Sequence, residues 1–302
     1  MAKRISVISG IVILTLFIAI AAYAAYLYFS VSKTVDDVMH EDVERTTEKR
    51  PISMEKLDPL AFLILGTDER GTERGRTDTI IILTVNPESN SMKMLSIPRD
   101  TRTEIIGRGK LDKINHAHAF GGVPMAIATV ENFMDIPIDY YMRVNMQGFK
   151  DIVDAVGGVT VNNKFEFTQS NIHFPVGEQR LDGREALAYV RMRKKDPRGD
   201  FGRNDRQKEV IQAIIREGAQ LSSIPKITSI LDAVGKNVKT DINFDEFKTL
   251  QENYRGVNKN METLQLSGTG TKINGIYYFQ VADEERQRVS NVLKAHLEIK
   301  GK

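Results

Sequence analysis

The chain has no cysteine. Disulfides, thiolate nucleophiles and cysteine-ligated zinc are therefore excluded. It has no tryptophan either. No G-x-x-x-x-G-K-[ST] run occurs, so a P-loop is absent, and the run Gly107-Arg108-Gly109-Lys110 is too short to stand in for one. There is no G-x-S-x-G nucleophile elbow. A charge excess is also missing: 42 Lys and Arg face 40 Asp and Glu, and setting aside Lys3 and Arg4 leaves 40 against 40. That balance gives no general case for nucleic-acid binding, and nucleic acid is not an expected partner. Any positive site must come from local clustering. Internal repeats and low-complexity tracts are absent as well.

What is present first is one long apolar run. Lys3 and Arg4 precede an uncharged stretch from Ile5 to Val31, with Tyr23, Tyr26 and Tyr28 near its far end. As a helix it reaches about 40 Å, at 1.5 Å rise per residue, against the roughly 30 Å of a bilayer core. The basic residues place the N-terminus in the cytoplasm, and the tyrosines suit the opposite interface. Ala22-Tyr23-Ala24 has the spacing of a cleavage site, but the run is longer than the ~7–15 residues of a signal-peptide core. The expectation is an uncleaved, single-pass type II anchor in the cell membrane. The chain then divides into a cytoplasmic end (1–4), the anchor (5–31), a polar stalk (32–57) and an extracytoplasmic domain (58–302).

In that domain, short apolar, β-branched runs at 60–65, 79–85 and 92–97 predict strands, as does the alternation over 138–144. Further strands are expected at 264–267 and 276–281. Helices are expected at 123–134, 147–156, 182–190 with Asp182 as N-cap, 206–221, 225–237, 244–256 and 284–297. This succession predicts an α/β fold, a central mixed sheet with helices on both faces.

Three segments could carry chemistry. The first, Gly66 to Asp78, joins two strands and holds three glycines, three arginines and four acidic residues. Asp68 and Asp78 flank it and suit Mg²⁺, which keeps waters and binds substrate phosphates; a solvated, charged hairpin is the alternative. The second, Ser96-Ile97-Pro98-Arg99-Asp100, projects Arg99 and Asp100 from a strand end, where α/β proteins place ligand sites; a surface salt bridge between neighbours is the alternative. The third runs from Arg184 to Lys208, with nine basic and four acidic residues. Arg191 and Arg193 share a face if the backbone is extended. Arg203 and Gln207 share a face of the helix they open. Guanidinium groups bind phosphate oxygens bidentately, so this segment suits a polyanion. A basic loop for anionic lipid heads or nucleic acid is the alternative. His116 and His118, with no further ligands, do not make a metal site.

Several separated stretches together resemble the LytR-CpsA-Psr family of cell-wall glycopolymer transferases. They are Leu63–Asp68 (LILGTD), Arg76–Thr79 (RTDT), Ser96–Asp100 (SIPRD), Lys113–Ala117 (KINHA), Val156–Val159 (VGGV), Leu181–Arg193 (LDGREALAYVRMR) and Gly202–Gln207 (GRNDRQ). The resemblance covers about residues 60 to 220, and the anchor agrees with it. It implies a phosphotransferase that moves an anionic glycopolymer, such as wall teichoic acid, from a polyprenyl-pyrophosphate carrier to the N-acetylmuramic acid 6-hydroxyl of peptidoglycan. It implies Asp78 and Asp68 at a Mg²⁺ (or Mn²⁺) site. Arg99, Arg191, Arg193 and Arg203 become pyrophosphate ligands with Gln207 beside them, and Asp200 holds an arginine in place. Asp78, Arg99, Arg191 and Arg193 are the expected catalytic set. One departure is Arg76-Thr77-Asp78 where family members often have Arg-Ser-Asp; the hydroxyl is kept. Two other functions remain open: a hydrolase acting on the same lipid pyrophosphate, and a membrane-bound attenuator of cell-wall metabolism.

Overall fold

The computed structural model describes residues 25–26, 28–69, 75–218, 235–254 and 256–299. In chain order the strands and helices are β1 (Leu60–Thr67), β2 (Thr77–Asn86), β3 (Ser91–Ser96), β4 (Arg102–Ile105), β5 (Lys110–Lys113), α1 (His116–Met134), β6 (Tyr140–Asn145), α2 (Met146–Ala155), β7 (Val159–Asn163), β8 (Phe167–Gln169), β9 (Ile172–Phe174), β10 (Gly177–Leu181), α3 (Gly183–Arg191), α4 (Asp200–Gly218), β11 (Val238–Thr240), α5 (Phe244–Asn253), β12 (Asn260–Leu264), β13 (Thr269–Ile273), β14 (Ile276–Gln280) and α6 (Asp283–His296).

Six strands form one mixed sheet in the order β11-β6-β1-β2-β3-β12. The β1–β6 and β3–β12 pairs are parallel; the β1–β2, β2–β3 and β6–β11 pairs are antiparallel. Both faces are covered, which is why β1 and β2 read as near-continuous apolar runs. Along β1 the side chains alternate between faces. Ala61, Leu63 and Leu65 join α1 and α6 through Ile127, Val130, Phe133 and Leu293. Leu60, with Ile81, Leu83 and Met94, faces Ile242 and Tyr254, and Ile211 and Ile215 of α4 pack against that group. A separate core joins α2, α3, α4 and the small pairs β7–β10 and β8–β9 through Val153, Phe167, Phe174 and Tyr189. The expected mixed sheet with helices on both faces is the observed fold.

Some boundaries differ from expectation. α1 starts at His116, seven residues before the predicted start, because a short turn continues into it across non-helical Gly121 and Gly122. Gly122 has φ 66° and ψ −155°, a conformation that glycine adopts without a Cβ clash. Pro124 then opens the longer segment, where its missing N–H leaves no helical bond unmade. α3 begins as expected at Asp182, whose Oδ1 accepts from the Glu185 N–H at 2.8 Å while Glu185 Oε2 accepts from the Asp182 N–H at 3.0 Å. α4 starts at Asp200 instead of 206. The strand expected at 264–267 is β12, shifted back to Asn260–Leu264 by parallel pairing with Ser91–Leu95 of β3. Of the helix expected over 225–237, residues 225–234 lie outside the described residues and 235–237 form a turn.

Of the expected membrane anchor, residues 5–24 and 27 lie outside the described residues. Among the described residues no helix is long and apolar enough to cross a membrane. The segment expected as a stalk is strapped onto the domain. Val35 and Met39 are buried against Val144, Val238 and Phe244. Arg45 Nη2 donates to Asp241 Oδ2 at 2.6 Å, and Arg50 makes two bonds, at 2.8 and 2.7 Å, to the buried Asp139 carboxylate. The polar composition of 32–57 suggested solvent; Arg45, Lys49 and Arg50 are instead paired with acids at the start of β6 and after β11.

Candidate functional site

The site forms at one edge of the central sheet, where β1, β3 and β6 end and β2 begins. Since β3 runs antiparallel to β2, with Ser96 opposite Ile81, the residues after Ser96 arrive beside the first residues of β2. Gly66 pairs with Thr79 and Thr67 with Thr77, so Asp78 is the extra residue of a β-bulge. Bulges re-aim the side chain they release. A Cβ on Gly66 would stand 2.9 Å from the Thr79 Cβ, so glycine lets the two strands close at this point.

The released Asp78 meets Arg99: the Arg99 Nη1–H donates to Asp78 Oδ1 at 2.6 Å. Asp100 turns to Lys113 of β5 at 2.6 Å, and the neighbours Arg99 and Asp100 approach only to 3.8 Å. The alternative of an ion pair between neighbours is present too, but the tighter contact of Arg99 is the one to the distant Asp78. Across from them stands the first turn of α4. Arg203 Nη2 donates to Asp200 Oδ2 at 3.0 Å, and Arg193 Nε lies 3.5 Å from Asp200 Oδ1. Asp200 thus sits between two arginines, the position expected for a residue that holds an arginine in place.

The electrostatics tie these groups into one cluster. Burial pushes the Arg203 guanidinium below its ordinary value, with Arg99 and Arg193 acting in the same direction against Asp200 and Asp78. Burial also disfavours charge on Arg99, but the hydrogen bond and charge of Asp78, with Asp200 and Asp100, outweigh it and hold Arg99 above its ordinary value. Both guanidinium groups remain charged at any physiological pH.

Buried polar atoms here are incompletely satisfied. Arg99 Nε, Arg203 Nε, Asp200 Oδ1 and Gln207 Oε1 have no hydrogen-bond partner among the described residues. Native structures satisfy nearly all such atoms, so each exception calls for an explanation. Two guanidinium N–H donors facing a common edge fit an anion such as phosphate.

Arg191 and Arg193 do not share a strand face. Arg191 ends α3, and the chain leaves the helix through an extended Met192. Arg191 is exposed and forms no ion pair among the described residues. Asp68 follows β1, with its N–H donating to the Arg76 carbonyl at 3.1 Å. The middle of the Gly66–Asp78 loop, residues 70–74, lies outside the described residues. Among the described residues no three His, Asp or Glu side chains gather as a metal centre. The protein therefore offers a partial donor set: Asp78, its side chain 36% exposed with one oxygen on Arg99, and Asp68. Magnesium is commonly held by one or two carboxylates, with substrate phosphates and waters completing its octahedron, so the donors present fit that ion.

Two features escaped sequence reasoning. Arg206, counted there among the basic residues, is 5% exposed. It donates to Asp196 Oδ2 at 2.6 Å and to the carbonyls of Tyr189 and Met192 at 3.1 and 2.5 Å. It therefore fixes the turn that carries Arg191 and Arg193. Tyr277, on the β13–β14 hairpin, lies near enough to Asp100 and Asp200 that their charges, after burial, raise its pKa. The backbone link from the Phe279 N–H to the Asp100 carbonyl, at 2.8 Å, and the packing of Phe279 on Phe201 hold that hairpin here; no local pattern announces it.

Comparison with known proteins agrees with this architecture. The model of the LytR_cpsA_psr family matches residues 25–295. A protein of Halalkalibacterium halodurans named polyisoprenyl-teichoic acid–peptidoglycan teichoic acid transferase TagU is 53% identical over 303 residues, covering 98% of this chain and 99% of that protein. The protein of the same name from Bacillus subtilis strain 168 is 50% identical over 277 residues, 91% of this chain and 90% of that one. The crystal structure of B. subtilis TagU superposes with a TM-score of 0.67 at 49% identity, over 81% of this chain and 99% of that one. A structure of TagT bound to LIIa-WTA superposes with a TM-score of 0.74 at 33% identity, over 86% of this chain and all of that one. The chain is a member of the LytR-CpsA-Psr family.

Proposed function

We propose that this chain transfers an anionic glycopolymer, of the wall teichoic acid class, from a polyprenyl-pyrophosphate carrier to the N-acetylmuramic acid 6-hydroxyl of peptidoglycan. The observation that carries the reading is the Asp78–Arg99 contact facing Arg203 and Asp200 at the sheet edge. The names of the transferase relatives support the same substrates.

The acceptor oxygen attacks the phosphorus next to the polymer, the bond from that phosphorus to the bridging oxygen breaks, and polyprenyl phosphate leaves. The acceptor hydroxyl gives its proton to solvent water. Arg99 and Arg203 hold phosphate oxygens and stabilise the charge that develops on the leaving phosphate, with Arg193 at the exposed side. Asp200 orients Arg203 and Arg193. Asp78 orients Arg99, and with Asp68 it would hold Mg²⁺ or Mn²⁺, which supplies further charge neutralisation on phosphate oxygens. Gln207, one turn along α4 from Arg203, is placed to donate its amide to the same group. Arg191 extends the cationic rim from the end of α3. No covalent enzyme intermediate is required, in keeping with a chain that lacks a recognisable nucleophile.

An apolar N-terminal segment of anchor length suits a substrate whose carrier is itself a membrane lipid and whose acceptor lies outside the membrane. The test is to supply polymer-linked polyprenyl pyrophosphate with and without a glycan acceptor. Polymer joined to glycan, appearing only when glycan is present, supports transfer. Free phosphorylated polymer in equal amount with and without glycan means hydrolysis and overturns the reading.

A further inference from the structure

A cavity lies beside the arginine site. Its volume is about 350 Å³, and it is an open cleft lined by α4, the end of β3 and the connection from β12 to β13. That is at the low end of the roughly 300–1,000 Å³ of small-ligand sites. On α4, residues 200, 203 and 207 make the stripe that faces Arg99. Residues 201, 204, 205 and 208 make the adjacent stripe, and all four line the cavity. Pro98, next to Arg99, lines it from the β3 side.

Its chemistry differs from that of the arginine cluster. Arg198 and Lys208 each lie 2.7 Å from the one Asp205 carboxylate, so the charged part of the lining is paired down to a net +1. What remains is neutral and polar. Asn204 is 7% exposed and Ser96 is 8% exposed; neither side chain has a hydrogen-bond partner among the described residues. Both line the cavity, so their amide and hydroxyl are free to bond a ligand there. Gln265 and Ser267 add an exposed amide and hydroxyl on the opposite wall. An aromatic ring completes the set. Phe201 is 46% exposed, and its ring is held edge-on to Phe279 at 5.5 Å. Phe279 is in turn bonded to the Asp100 backbone, so the ring has a fixed place relative to Arg99.

A flat apolar ring, neutral amides and hydroxyls with unmet hydrogen bonds, and little net charge together match an amino-sugar glycan. Such a sugar presents a C–H face to the ring and hydroxyl and acetamido groups to the amides. A polyphosphate would need unpaired cations. We propose that this cavity is the subsite for the acceptor glycan, binding an N-acetylated hexosamine of the peptidoglycan strand next to the phosphate site. The proposal rests on the transferase reading for its choice of glycan.

The test uses full-length protein in lipid nanodiscs and, as probe, an N-acetylglucosamine–N-acetylmuramic acid tetrasaccharide. The chain has no tryptophan, so Phe201→Trp introduces a single fluorophore at the cavity wall. Its emission should change saturably with the tetrasaccharide. Adding Asn204→Ala should weaken that binding about tenfold, the effect of losing one or two hydrogen bonds. In transfer assays Asn204→Ala should raise the KM for glycan by a similar factor, with kcat and the donor KM unchanged. Gln265→Ala, on an exposed connection, should act in the same direction without a folding risk. No tetrasaccharide binding, or a rise in donor KM with glycan KM unchanged in both variants, would overturn the proposal. Glycan bound but no polymer transferred by the wild type would remove the transferase reading and leave the subsite standing.

Discussion

Arg99 Nη1 lies 2.6 Å from Asp78 Oδ1, although the two belong to different strand ends and stand 21 residues apart. The side chain that would hold a cation and the one that would hold an anion hold each other. Each therefore places the other, and the bulge that releases Asp78 from the β1–β2 ladder is what brings them together.

Because the pair acts as a unit, its variants should not be additive. Arg99→Ala should lower kcat for transfer by about 10²–10³, the loss typical of a donor aimed at developing charge. Asp78→Ala should lower it as well, and the double variant should be little worse than Arg99→Ala alone. A double-variant cycle on transfer rates measures this; full additivity would mean the two act separately.

Stability and activity should separate along the arginine segment. Arg206 is buried on Asp196, so Arg206→Ala should destabilise the fold by about 3–5 kcal/mol, as when a buried ion pair loses one partner. Gly202→Ala should also destabilise it, since a Cβ there would lie 1.8 Å from Asp196 Oδ2. Arg191→Ala, exposed at the end of α3, should stay within about 0.5 kcal/mol of wild type while transfer falls. Urea unfolding midpoints beside transfer rates give the comparison.

Acid should weaken the fold through His296. Its ring lies 2.7 Å from Thr84 Oγ1 and 2.9 Å from Ser91 Oγ. Burial, with the charge of Lys93, lowers its pKa from 6.5 to about 4. Between those values the unfolded chain binds a proton that the folded chain excludes, so this contribution is full above pH 6.5 and falls as pH drops towards 4. Unfolding midpoints across that range should fall less steeply for His296→Gln than for wild type.

Chelation should reduce transfer. With Asp78 and Asp68 as the candidate protein ligands among the described residues, metal affinity should depend on bound donor. EDTA should lower the rate, and added Mg²⁺ or Mn²⁺ should restore it. In Asp78→Asn the Mg²⁺ concentration for half-maximal rate should rise. A rate indifferent to EDTA would remove the metal from the account.

The sequence disclosed much of this because its strongest signals are local. The runs in β1 and β2 are apolar on both faces, and the Asp182 cap is written in four residues. What it hid depends on pairing between distant segments. Nothing near Asp78 marks it as the extra residue of a bulge; that follows from its register with β1. Arg206 has the composition of a ligand, yet it is a buried pin, because Asp196 and two carbonyls close around it. Arg191 and Arg193 would share a face on an extended backbone, but the helix expected from the Asp182 cap runs one residue past 190 and takes in Arg191. The strap over 32–57 reads as polar linker, since its acidic partners, Asp139 and Asp241, lie about a hundred and two hundred residues further on.

The most direct test is a single-turnover reaction of wild type and Arg203→Ala with polymer-linked polyprenyl pyrophosphate and glycan, quantifying both polymer-linked glycan and released polyprenyl phosphate. The wild type should yield the two products in equal amounts. The variant, confirmed as folded by its unfolding midpoint, should form both about 10²–10³ times more slowly. A folded Arg203→Ala protein that forms them at the wild-type rate would contradict the assignment of this sheet edge as the site of transfer.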